Sequence, residues 1–373
     1  MTTTTDLATT VAWLAFAASF VLGAISARTQ FCTLGAVSDI VNMNDWSRMR
    51  MWVLAMAVAI IGAQALYAFG VIDLSKSFYV RPNVTWLSYI VGGLMFGVGM
   101  TLASGCGSRT LVRIGGGNVK SIVVFVFLGV AAYMTMKGLF AVWRVASIDK
   151  VLVDLAANGV ATQEFGAVFA TILGVSKKAA QIGVASVLAG AMLVWVLIDA
   201  DFRRSLDGWL GGLGYGLAVV AGWVITAHIG FGENQDTLEM MFFGTNSRTA
   251  ESLSFVAPIG YSLELLMLWS DKSLAVSFGI ASSVGLIVGS FAYSIAFKRF
   301  RWEGFVNIDD TRNHLIGAVL MGVGGVTAMG CTIGQGVSGV STLAVGSFLA
   351  LAAMIVGCAA TLKYQYWQMM REV

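Results

Sequence analysis

Apolar runs of about 20 residues, the length that crosses a bilayer, recur at 11–28, 51–74, 85–105, 119–141, 179–199, 208–229, 275–297, 312–330 and 344–363. Between them lie four shorter apolar segments, at 32–44, 107–117, 257–269 and 331–342. Pieces of that length persist in a membrane only where protein buries them or where they line a cavity, so they read as re-entrant helices. The pattern predicts an all-α membrane protein with about nine transmembrane helices and four re-entrant short helices. The connection 142–178 is the main irregularity. Within it SIDKVLVDLAANG has amphipathic spacing and FGAVFATILGV is apolar but too short to span, so both are expected at the interface. The first ten residues, MTTTTDLATT, carry no Lys or Arg and read as a polar tail on a retained first helix.

An internal repeat organises these elements. Residues 92–106, GGLMFGVGMTLASGC, align without gaps on 317–331, GAVLMGVGGVTAMGC, at an offset of 225, with seven of fifteen pairs identical and Cys106 on Cys331. The same offset places Gly35 on Gly260 and Asp39 on Glu264, while Cys32 meets Ala257. Repeat A therefore runs over about 11–141 and repeat B over about 208–364. The segment 142–199 links them within one transmembrane domain. Each half holds four spans and two re-entrant pieces, and the single span at 179–199 between them inverts the second half.

Composition agrees with lipid as the solvent. Hydrophobic residues make up 57% and charged residues 12%, about half the charge of a soluble domain. The 44 glycines suit closely packed membrane helices. A net charge of +3 gives no argument for nucleic acid. If the N-terminus is outside, 14 of the 23 basic residues fall on the inner side, including Arg28, Arg48, Arg50, Arg109, Arg113, Arg299 and Arg301. The positive-inside rule then predicts N-out, C-in. Four cysteines with no CxxC spacing and only two histidines, His228 and His314, make no zinc or disulfide framework. No metal or cofactor is expected.

The candidate chemistry sits at the chain breaks. Cys106 and Cys331 follow Gly105 and Gly330, end long apolar helices and lead into short Gly- and Ser-rich segments. Cys32 opens the first re-entrant piece. Half-helix N-termini at such breaks leave N–H groups and a positive dipole end that favour an anion, and broken helices of inverted repeats build transporter sites. A lone membrane cysteine is most simply a small hydrophobe, but three at comparable breaks point to a lined path. Cys358, in a continuous span without a repeat mate, reads as packing. Supporting candidates are Gly105, Gly330, Arg109 and Gln335. Asp39 and Glu264 are intramembrane acids, for which proton coupling and structural pairing both stay open. Arg109 and Arg113 would attract an anion, although positive-inside topology accounts for them equally. The histidines read as satisfied interfacial residues. Gly334, Gly336 and Gly339 match GxGxxG, but no strand precedes them and the dinucleotide reading fails.

The motifs SGCGSRTLVRIGGG at 104–117, MGCTIGQGVSGVS at 329–341 and TQFCTLGA at 29–36 resemble the YeeE/YedE family of sulfur-compound transporters, typified by bacterial thiosulfate uptake proteins. The resemblance covers nearly the whole chain. It implies an hourglass-shaped protein of the bacterial inner membrane whose path is lined by Cys32, Cys106 and Cys331. It further implies thiosulfate or a related sulfur anion as cargo, lipid as surroundings and, in some members, a TusA-like sulfur-carrier partner. The connection 142–178 is long for the thiosulfate members, and some relatives are linked to selenium or other sulfur species. A neutral thiol is a weak S–H donor with a polarisable sulfur, suited to a terminal sulfur. Weak sites in series allow release as well as entry. Two alternatives stand beside thiosulfate uptake: another sulfur or selenium cargo, and a membrane sulfurtransferase working through a cysteine persulfide. The chain has no soluble catalytic domain and no evident base beside any cysteine, which favours transport over an enzyme.

Overall fold

The computed structural model describes residues 4–234, 238–271 and 274–372. Its first half comprises α1 (Thr4–Thr29), α2 (Thr33–Met43), α3 (Ser47–Ala68), α4 (Trp86–Leu102), α5 (Gly107–Gly115) and α6 (Val119–Lys137). The connection contributes α7 (Leu139–Ala146) and α8 (Phe165–Leu173), followed by α9 (Lys177–Leu197) and the short α10 (Ala200–Arg204). The second half comprises α11 (Leu206–Val224), α12 (Val256–Met267), α13 (Phe278–Ala296), α14 (Ile308–Thr327) and α15 (Val345–Glu372). Two minimal antiparallel strand pairs complete it: β1 (Asn83–Val84) with β2 (Val153–Asp154), and β3 (Phe231–Glu233) with β4 (Met240–Phe242).

The chain is an all-α membrane protein. Eight helical segments among the described residues are long and apolar enough to cross a bilayer. The ninth expected span, 312–330, forms α14, whose first two turns carry Asp309, Asp310, Arg312 and His314 and so dilute its hydropathy. Those polar groups are engaged: Lys120 donates to Asp310 at 2.7 Å, and His314 Nδ1 lies 3.0 Å from the same carboxylate. All four short segments expected between spans are helical. The fourth differs, because residues Gly334–Gly339 widen into a π-helix, a distortion that occurs often at functional sites.

Packing follows the repeat. α1 lies on α13 while α3 lies on α11, and α4 packs on α15 while α14 packs on α6; α4 and α14 cross each other, as do α1 and α11. Exchanging the halves reproduces this set of contacts, so a pseudo-twofold axis passes between α4 and α14. Glycines allow that crossing. A β-carbon on Gly99 would stand 2.7 Å from the Gly317 oxygen, and one on Gly92 would stand 2.7 Å from the Gly324 oxygen. Gly92 and Gly317 are repeat mates, as are Gly99 and Gly324, so each contact is the image of the other. Close approach through small residues replaces the hydrophobic driving force that lipid does not supply.

The connection is built from short pieces. SIDKVLVDLAANG forms a 3-10 turn, β2 and a second 3-10 turn. Its strand pairs with β1 ahead of α4. Beyond it, buried Gln163 donates to the Tyr79 carbonyl at 2.8 Å and accepts from the Gly346 amide at 3.1 Å. The Phe165 amide donates to the Leu343 carbonyl at 3.0 Å. The connection thus satisfies backbone groups that the second chain break leaves open, a requirement wherever water is excluded.

Candidate functional site

The two repeat cysteines are presented by the same backbone device. At the end of α4 the Gly105 amide donates to the Met100 carbonyl and the Ser104 amide to Thr101. At the end of α14 the Gly330 amide donates to Gly325 and the Met329 amide to Val326. These are Schellman-type closures around a left-handed residue. Gly105 and Gly330 make room for the next turn: a β-carbon on Gly105 would meet Arg109 Cγ at 3.0 Å, and one on Gly330 would meet Gln335 Cγ at 3.1 Å. Each cysteine carbonyl then opens the following segment, accepting from Thr110 at 2.9 Å and from Gln335 at 2.7 Å. Cys32 does the same for Ala36 at 3.0 Å. Cys32 and Cys106 occupy the N-cap positions of α2 and α5, where no side chain caps the helix. First-turn N–H groups and the positive dipole end are therefore directed at the thiols.

The structure buries all three cysteines and sets Cys32 beside Cys106. The Cys32 and Cys106 thiols stand within hydrogen-bonding reach of each other, and the Thr332 side chain stands beside Cys106. Ser108 Oγ lies 3.3 Å from Cys106 Sγ, and the Gly334 amide donates to Cys331 Sγ at 3.3 Å. Phe31 stacks on Tyr215 at 3.9 Å and lies near Trp52, fixing the approach to Cys32. Cys106 and Cys331 are each 1% exposed.

Two cavities flank the cysteines. The first, about 310 Å³, is lined by Arg81, Arg144, Glu251, Tyr261, Met329 and Gly330, among others, and so reaches the residues just before Cys331. The second, about 260 Å³, is lined by Gln30, Arg109, Arg113, Arg299, Arg301 and Glu303, along the helix that Cys106 begins. Helix α13 contributes Phe278 and Gly279 to the first and Ser290, Tyr293 and Ser294 to the second. At 1.5 Å per helical residue the two lie about 20 Å apart along it. Guanidinium groups thus line both cavities. In the first cavity, Ser247 donates to Glu251 at 2.6 Å. Burial nevertheless pushes the Glu251 carboxyl up to about 7, with that hydrogen bond opposing.

The other expected residues divide. Arg109 donates to Gln30 and lines the second cavity, as Arg113 does. Gln335 is buried and donates to the Ala328 carbonyl at 2.7 Å, bracing the turn before Cys331. Asp39 pairs with Arg48 at 3.1 Å, whereas Glu264 pairs with Lys137 at 2.7 Å and accepts from Tyr133 at 2.9 Å. Both acids are thus neutralised by local bases. Cys358, on α15, faces α4, with Thr101 Oγ1 3.4 Å from its sulfur. Among the described residues no group of three or more His, Cys, Asp or Glu is arranged to hold a metal ion. Sequence reasoning missed Arg81, Arg144, Glu251 and Thr332. One signal was available for the last: Cys-Thr-Leu-Gly at 32–35 recurs as Cys-Thr-Ile-Gly at 331–334, a likeness that the 225-residue frame hides.

Comparison with known proteins places the chain in a family. The family model described as sulphur transport matches residues 28–360. The chain is 25% identical over 367 residues to the thiosulfate transporter TsuA of Spirochaeta thermophila, covering 92% of this chain and 96% of that one. It is 23% identical over 348 residues to the thiosulfate transporter TsuA of Escherichia coli, covering 90% and 89%. The chain belongs to the sulphur transport family, YeeE/YedE.

Proposed function

We propose that this member of the sulphur transport family carries thiosulfate inward across the bacterial inner membrane, handing it between the thiols of Cys331, Cys106 and Cys32. The observation that carries the reading is the waist: three buried cysteines at helix starts, between two arginine-bearing cavities. Guanidinium groups draw a dianion into either cavity. Neutral S–H donors and first-turn amides then replace its water without the grip of a fixed positive charge. The relatives named for thiosulfate support that cargo over another sulfur or selenium species.

In this reading the Arg81–Arg144 cavity faces outward and the Arg299–Arg301 cavity faces the cytoplasm. The N-terminus is outside, the C-terminus is inside, and a TusA-like carrier collects the sulfur at the inner cavity. Growth of a host lacking its own sulfur-anion importers, with thiosulfate as sole sulfur source, tests the function: rescue is expected, and its absence with protein present in the membrane rejects it. Impermeant thiol labelling tests the orientation. A cysteine replacing exposed Ser75 is expected to react from outside and one replacing Trp302, 75% exposed, only after permeabilisation. Labelling of both from one side rejects the inverted arrangement.

A further inference from the structure

Thiols address one end of such a cargo. An anion with a terminal sulfur on an oxidised sulfur also carries oxygens, which call for O–H or N–H donors. Two buried hydroxyls beside the cysteines lack a well-formed hydrogen bond. Thr33 Oγ1 and Thr332 Oγ1 belong to residues 2% and 0% exposed and meet no partner in good geometry, the Thr332 hydroxyl approaching only the Cys106 thiol. Buried threonines elsewhere in these helices return the hydroxyl to the carbonyl four residues back, as Thr101, Thr110, Thr135 and Thr327 do. Thr33 and Thr332 are the first residues of their broken segments, so no helical carbonyl lies one turn behind them. A buried hydroxyl left in that condition is costly, and it is kept in both copies of the Cys-Thr-x-Gly motif. Thr332 follows Cys331 in the chain and stands beside Cys106 in space. Thr33 follows Cys32, whose thiol reaches Cys106.

We propose that Thr332 and Thr33 form the oxygen-directed half of the selectivity site, donating to sulfonate oxygens while the adjacent thiols meet the terminal sulfur. The site then selects S-sulfonate anions, of which thiosulfate is the smallest. Sulfate offers no soft sulfur to the thiols, and sulfide-like anions offer no oxygen to the threonines. The inference rests on the thiol-lined path proposed above and assigns to the threonines the discrimination that the cysteines alone do not provide.

The test uses the full-length protein in proteoliposomes, with uptake of labelled thiosulfate, and the detergent-purified protein, with the thermal shift produced by thiosulfate. Thr332→Val keeps shape and removes the donor; Thr332→Ser keeps the donor. Losing a hydrogen bond to a charged group predicts that Thr332→Val raises KM by about ten-fold or more and shrinks the thermal shift, with Vmax changed less than KM. Thr332→Ser is expected to stay within about three-fold of wild type, a rescue that requires only the hydroxyl. Thr33→Val is expected to act in the same direction. Wild-type transport with unchanged KM in both valine variants overturns the inference and leaves the transport reading intact. A wild-type protein that moves no thiosulfate, yet loses its thermal shift in Thr332→Val, overturns transport and keeps the site. Absence of both uptake and shift in wild type rejects both.

Discussion

Ser104 and Met329, 225 residues apart, each adopt a left-handed backbone with φ of 57° one residue before a Gly-Cys pair. Neither is glycine, so the same local strain is held in both repeats at the point where the chain turns toward Cys106 and Cys331. Left-handed geometry costs a non-glycine residue about 1–2 kcal/mol, and such strain persists where surrounding structure over-determines it. In both places the Schellman-type closure and the packing of the following segment supply that determination.

Ser104→Gly removes this strain while deleting only a small, exposed side chain. The variant is expected to be more stable by about 1 kcal/mol, less the extra entropy glycine gives the unfolded chain. Ser104→Val is expected to lose stability, since a β-branched residue fits poorly at positive φ. Thermal unfolding in detergent reads both, and a Val variant as stable as wild type contradicts the strain argument.

The α4–α14 crossing predicts a sharper effect. At Gly99 and Gly317 the facing atom is backbone oxygen, which has no rotamer by which to retreat. Gly317→Leu is expected to cost more than the roughly 1–3 kcal/mol of ordinary overpacking and to yield little monodisperse protein. Gly183→Leu, where open space surrounds the glycine on α9, is the control and is expected to express normally.

These cases show how much of the molecule was legible beforehand. Spans and short segments followed from run length, because a membrane requires an apolar length from every crossing. The Gly-Cys breaks followed from the repeat. What the chain order concealed was the company each residue keeps. Arg81 and Arg144 come from opposite ends of a long stretch yet share one cavity, and Gln163 reaches Gly346 across 183 positions. Asp39 and Glu264 were visible as intramembrane acids, but their partners Arg48 and Lys137 decide that they are paired. The π-helix of Gly334–Gly339 was unreadable for a related reason: its glycines pack against Ser254, Trp52 and Ser347 from three other parts of the chain.

Glu251 makes the first cavity sensitive to pH. Its pKa of about 7 lies above the usual 4.5, so the carboxyl is mostly neutral at pH 6 and mostly charged at pH 8. Ionisation sets a negative charge in the cavity that Arg81 also lines, while Arg144 is already paired with Asp149 at 2.6 Å. The apparent KM for thiosulfate is expected to rise several-fold between these values. Because the folded state binds the proton more tightly, stability should fall as pH rises from 4.5 through 7. Glu251→Gln is expected to flatten both profiles, measured as initial uptake rates and melting temperatures. An unchanged pH profile of KM in the glutamine variant rejects the assignment.

The thiols themselves give the decisive series. Cys358 is buried in a continuous helix and bonded to Thr101, so Cys358→Ala is expected to leave uptake near wild type. In the proposed path Cys32, Cys106 and Cys331 each serve one buried step of the anion's passage. Removing a donor there leaves charge without its partner, a loss of about 1.5–3 kcal/mol and so at least about a ten-fold fall in rate for each single Ala variant. Serine separates two meanings of that fall. It keeps a donor and nearly the same size, but its harder oxygen is a poorer match for a terminal sulfur than the polarisable thiol. Failure of the Ser variants to restore uptake, with protein levels in the membrane unchanged, is the outcome expected of sulfur-specific contact. Full activity in a triple Ser variant reduces the cysteines to small polar donors and leaves the helix starts and the threonine hydroxyls as the selective elements of the waist.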